Sequence, residues 1–92
     1  MKIVFLESSA QDIAWMRKYY KSVFSAGSKN AQKNYNSAKL ALKANAYIGH
    51  ASDYGEGVYE YHIPRIPFTF IYRVKEDRIE MLRVLDDRSE ES

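Results

Sequence analysis

The chain has 92 residues, 46% of them apolar and 28% charged, with a formal net charge of +2 and no cysteine. This length suits one domain spanning 1–92, and the composition is that of a folded chain, not a disordered one. The lack of cysteine excludes disulfides, thiolate zinc sites and cysteine nucleophiles, and it fits a reducing, cytoplasmic setting.

The opening MKIVFLES is too short for a secretory apolar region and is closed by Glu7. No window approaches the roughly 20 apolar residues that a membrane span needs. The expectation is a cytoplasmic protein with no membrane partner. Lys2 to Leu6 reads as a first strand. Ser8 and Ser9 then offer helix N-caps, with Gln11 and Asp12 three residues beyond each.

A first helix is expected from about Ser9 to Phe24. Ile13, Met16, Tyr20, Val23 and Phe24 recur on one face, with Trp15 and Tyr19 one turn apart beside it. Gly27 is its expected end. A second helix follows from about Ser28 to Tyr47, with Ala31, Tyr35, Ala38 and Leu42 at 3–4 residue spacing and Gly49 as its stop. The short connection implies an antiparallel αα-hairpin.

Residues 49–57, GHASDYGEG, read as a loop, with three of the four glycines of the chain. Strand texture then takes over. Val58 to Ile63 alternates, Pro64–Arg65–Ile66–Pro67 turns, and Phe68 to Val74 is aromatic and β-branched. Lys75 to Arg78 is a polar turn, and Ile79 to Leu85 is the last strand. A turn about Glu76–Asp77 sets Arg73 opposite Glu80 and Tyr72 opposite Met81. The fold class is α+β, in the order β-α-α-β-β-β, with an αα-hairpin on a small, mainly antiparallel sheet. Residues 86–92 read as a flexible acidic tail.

Charge is unevenly spread. Residues 1–49 carry eight Lys or Arg against Glu7 and Asp12, a surplus of +6, whereas residues 86–92 carry four carboxylates against Arg88. A basic front half attracts an acidic partner or nucleic acid, although lysines also simply solvate helix faces. His50 and His62 are a poor metal set without thiolates, so no metal or cofactor is expected.

Pro64–Arg65, Tyr72–Arg73–Val74 and the run Ile79 through Leu85 resemble the C-terminal half of toxins of the RelE/ParE superfamily, in its ParE-like branch. Asp12–Ile13, Met16, Tyr19–Tyr20 and Tyr47–Ile48–Gly49 echo that family's two helices. The resemblance implies a bacterial type II toxin–antitoxin system, of the kind linked to plasmid stabilisation. Its toxin is neutralised by a cognate antitoxin whose flexible segment wraps it in a hetero-oligomer. ParE-like members poison DNA gyrase as inhibitors; RelE-like members cut messenger RNA on the ribosome, and a shared fold does not choose between them.

A RelE-like endoribonuclease needs a base, a cation for the phosphate and an acid for the leaving oxygen. The resemblance offers Glu60 or His62 as base and Arg65, Arg73 and Arg83 as phosphate ligands. It also asks for a His or Tyr after the last strand, where this chain has DDRSEES. The expectation is therefore a gyrase inhibitor with no catalytic residue, the nuclease being the alternative. A non-toxic module that keeps only antitoxin binding is a second alternative. Direct nucleic-acid binding is not expected, because no reading helix or aromatic sheet motif is present. For the antitoxin, Trp15, Lys18, Tyr19, Tyr35 and Lys39 on the helical hairpin are the expected contacts, since aromatic residues anchor interfaces and lysines suit an acidic arm. Tyr19 and Tyr35 serve equally well as filling between helix and sheet.

Overall fold

A computed structural model gives the architecture and describes residues 1–23 and 25–87. The side chains at 19–23, 25–29 and 31 fall outside that description, as do position 24 and residues 88–92. The expected apolar contacts of Tyr20, Val23, Phe24 and Ala31 therefore lie outside it.

The elements are β1 (Lys2–Phe5), α1 (Glu7–Val23), α2 (Ser25–Ala44), β2 (His50–Ala51), β3 (Val58–His62), β4 (Phe68–Val74) and β5 (Arg78–Asp86). They build one five-stranded sheet in the order β1-β5-β4-β3-β2. β1 lies parallel to β5, and the other three pairings are antiparallel. The α+β reading holds. The sequence reading missed the two-residue β2, because a run of Gly, Ser and Asp has no strand propensity and only pairing with Glu60 and Tyr59 makes it a strand.

Three other expectations shift. α1 begins at Glu7, so the expected cap serines sit inside its first turn. There the Ser9 hydroxyl donates to the Leu6 carbonyl at 2.8 Å, and Ser8 donates to the Leu82 carbonyl at 2.6 Å. Gly27 does not end α1; it lies within α2, which starts at Ser25. Glycine disfavours a helix interior by only about 1 kcal/mol, and packing of the helix overrides that. Of the expected acidic tail, residues 86 and 87 are placed in the fold and residues 88–92 lie outside the described residues. Asp86 closes β5, and the Asp87 amide donates to the Pro67 carbonyl at 2.9 Å.

The period-2 alternation of β4 decides where the core lies. Phe68, Phe70 and Tyr72 face the helices and join Met16, Tyr35, Ala38 and Leu42 in the main cluster, together with Ile79, Met81 and Val84 of β5. Thr69, Ile71 and Arg73 alternate with them onto the opposite face. The hairpin register agrees with expectation: Arg73 faces Glu80 and Tyr72 faces Met81. A bulge between Ile71 and Tyr72 then shifts the register towards Arg83.

β1 is shorter than β5 and pairs only with residues 78–81. Beyond Phe5 the chain turns into α1, which lies along the second half of β5 and leaves that edge without a strand partner. Asp12 fills the role. One carboxylate oxygen accepts the Val84 amide at 2.9 Å and Arg83 Nε at 2.7 Å; the other accepts Arg83 Nη2 at 3.0 Å. Asp12→Ala should therefore cost about 1–3 kcal/mol, because it strands the part-buried Val84 amide. Arg83→Ala should cost less than about 1 kcal/mol, since the half-exposed cation is screened and the backbone bond survives. Urea unfolding of the two variants checks the ranking, and equal losses would refute the edge-capping role of Asp12.

Candidate functional site

The sheet face opposite the helices gathers most residues named for the nuclease chemistry, and each that lies there is already engaged. Arg73 Nη2 meets Glu80 at 2.9 Å, and Arg78 holds the other Glu80 oxygen at 2.9 Å while also meeting Asp77 at 2.8 Å. Arg83 is forked onto Asp12. His62 Nδ1 lies 2.8 Å from Asp87, whose other oxygen accepts the Thr69 hydroxyl at 2.7 Å. Glu60 meets His50 at 3.2 Å. Arg65 stands apart, at the tip of the β3–β4 turn.

These pairs shape the charge of the face. The Glu80 carboxyl is held below the usual carboxylate range, first by the hydrogen bond from Arg78 and then by that from Arg73. Its pairing is thus complete above the ordinary carboxylate pKa and is lost only as pH falls through the lowered value. Arg73 Nε is buried without a hydrogen-bond partner, while the side chain as a whole is part-exposed and its Nη2 donates to Glu80. Ile71 is only 3% exposed on this side, shielded by its neighbours. The position just after β5 is occupied by Asp87, whose carboxylate is taken up by Thr69 and His62. Among the described residues no group of three or more His, Asp or Glu is placed to hold a metal ion.

The other site lies along the free edge of β1. Lys39 is half-buried, with its ammonium 4.7 Å from the centre of the Tyr35 ring and 6.0 Å from that of Phe5. A groove of about 310 Å³ runs there, lined by Ile3, Phe5, Asn36, Lys39, Leu40 and Lys43. Burial, and then the nearby charges of Arg17 and Lys43, push the Lys39 pKa down. Among the described residues no carboxylate lines the groove, and Leu40 is 65% exposed beside it.

Of the five residues expected to meet an antitoxin, the four whose side chains are described do not form one patch. Lys39 is in the β1 groove. Trp15 and Lys18 are exposed on α1, with Trp15 edge-on to Phe68 at 6.1 Å and bordering a second hollow beside Asp12 and residues 83–86. The Tyr19 side chain lies outside the described residues. Tyr35 is 2% exposed and packs edge-on to Phe70 at 5.7 Å, its phenol pushed up to about 12 by burial. It is a core residue, and it meets the groove only by supporting Lys39 from below. Sequence reading missed Leu40 and Lys43. The available signal was an apolar residue on the otherwise polar side of α2, beside two lysines one turn apart.

Comparison with known proteins adds to this geometry. Residues 3–90 match the family described as ParE toxin of type II toxin-antitoxin system, parDE. No curated protein matches the chain. Among solved structures, a chain from a chromosomal ParDE toxin–antitoxin system of P. aeruginosa superposes with a TM-score of 0.76 at 24% identity, covering 91% of this chain and 92% of that one. That likeness carries the fold. The family match spans nearly every residue, both helices and the C-terminal hairpin included, so the chain belongs to the ParE toxin family of type II toxin–antitoxin systems.

Proposed function

We propose that the chain acts in the cytoplasm by binding and poisoning DNA gyrase, and that an acidic antitoxin segment neutralises it from the β1 groove. The observation that carries the mode of action is the state of the sheet face. Arg73, Arg83 and His62 each spend their charge or hydrogen bond on a carboxylate of the same chain. A phosphate entering there would have to displace Glu80, Asp12 or Asp87, which repel it in turn. That favours action through a binding surface over RNA cleavage, and gyrase is the target that membership of the ParE branch implies.

The groove suits the antitoxin for separate reasons. β1 is an edge strand of the sheet, paired on one side only with β5, and edge strands are where an extended segment can add. Lys39 and Lys43 flank it, and Leu40, Ile3 and Phe5 supply apolar contact. A second copy of the chain would bring its own lysines against these, so an acidic segment fits better.

A supercoiling assay with purified gyrase tests the target. The chain should block supercoiling or trap cleaved DNA, and the co-encoded antitoxin should reverse the effect. Full supercoiling at every dose, together with ribosome-dependent cleavage of a message that is lost in Arg73→Ala, would establish the nuclease instead.

A further inference from the structure

We infer that the corner between α2 and the β3–β4 turn is a binding site for a phosphate group. The inference stands apart from the choice of target and concerns residues that neither the sheet face nor the β1 groove uses. Asn30, Lys33 and Asn34 recur at i, i+3 and i+4 and so share one face of α2. That face meets Arg65 around a cavity of about 320 Å³, and these four residues line it. No carboxylate lies among them.

Arg65 carries the argument furthest. Its φ is 72°, and it is the only non-glycine residue with positive φ among those described. The left-handed region is strained for an arginine, and glycine would hold the same backbone without strain. What arginine adds is its side chain. The turn is pinned on both sides: Ile63 and Ile66 are buried, the Ile63 amide donates to the Phe68 carbonyl at 2.9 Å, and the Phe68 amide donates to the Ile66 carbonyl at 2.9 Å. Pro64 and Pro67 stiffen it further. Strain held in place by a rigid surround is a mark of a functional position. Arg73, Arg78 and Arg83 are all ion-paired, whereas Arg65 has no carboxylate partner among the described residues.

The helix side points the same way. Asn30 and Asn34 sit within α2, where asparagine is a poorer helix former than Ala, Gln or Lys. Two amides, an ammonium and a guanidinium therefore face one hollow, and all four present N–H donors. A single planar carboxylate is satisfied by the arginine fork alone. A tetrahedral oxyanion accepts from several sides and uses the whole set. The same phosphate chemistry is found in a free phosphate ester and in the backbone of DNA.

The test is an NMR titration of the full chain with sodium phosphate, with sodium chloride at equal ionic strength as control. Saturable shifts of the Arg65 Nε–H and of the Asn30 and Asn34 side-chain amides are expected with phosphate only. Arg65→Gly should keep or raise Tm while weakening phosphate binding about tenfold or more, and Lys33→Gln should weaken it without touching the turn. A short DNA duplex that shifts the same resonances would identify backbone phosphate as the source; a duplex that leaves them unmoved while phosphate shifts them would identify a free ester. Equal shifts with chloride, or unchanged affinity in both variants, would overturn the inference.

Discussion

Gly49→Ala is expected to destabilise the chain by about 2–4 kcal/mol, the sum of overpacking against backbone and a damaged buried hydrogen-bond set. For a chain of this size that is a fall in Tm on the order of 10–20 °C. A Cβ at Gly49 would strike the Glu60 carbonyl oxygen and come within 2.7 Å of the Tyr72 hydroxyl. The first contact is with the backbone of β3 and has no side-chain rotation to relieve it. The second breaks a small lock. The Tyr72 hydroxyl donates to the Ala46 carbonyl at 2.9 Å and accepts the Gly49 amide at 3.3 Å, tying the end of α2 to the middle of the sheet. Burial raises the Tyr72 pKa, so the phenol stays protonated and able to donate at neutral pH.

Tyr72→Phe should cost about 1–3 kcal/mol by itself, because it strands both backbone groups. Combining it with Gly49→Ala should cost less than the two losses added, since the variants share one contact. Urea unfolding of all four proteins measures this. A Gly49→Ala protein within about 0.5 kcal/mol of the parent would mean that the corner yields and the lock is unimportant.

The second large effect concerns neutralisation. Replacing Lys39 and Lys43 together by glutamate should weaken antitoxin binding by roughly 10²–10³-fold, as like charges replace opposite ones along the groove. Leu40→Asp should act in the same direction through lost apolar contact. None of the three should unfold the chain. Leu40 and Lys43 are exposed, and Lys39 gives up its contacts with the Tyr35 and Phe5 rings, the nearer of them worth about 0.5–1 kcal/mol. The informative readout pairs antitoxin affinity by calorimetry with toxicity in cells. Growth arrest that the antitoxin no longer rescues is the expected result. Unchanged affinity in the double glutamate variant would move the antitoxin to another surface, with the exposed Trp15 and Lys18 of α1 next in line.

The hairpin was legible in the sequence because its determinants are local. Strict alternation from Phe68 to Val74 sets which side chains face the core, and the turn at Glu76–Asp77 then pairs Arg73 with Glu80. The helical spacing of Met16 and of Tyr35, Ala38 and Leu42 likewise marked true core positions. The family followed from the same hairpin motif. The helix junction was misplaced because Gly27 was weighed by propensity, which packing overrides.

The candidate site was a different matter, since it is made of partners far apart in the chain. Nothing near residue 12 announces that Asp12 will cap the edge of β5 beside Val84, 72 residues away. The Arg73–Glu80 pair was legible from the turn, but nothing near Arg83 or His62 says that a carboxylate waits beside each, and those two pairs complete the neutralised face. Tyr35 was placed at the correct helical phase, yet only the packing of α2 on β1 and β4 decided that it would be buried while Lys39 and Leu40 framed the groove. Alternation and helical period determine which face a residue joins; the meeting of faces decides which charges are spent, which edges stay open and where another molecule can bind.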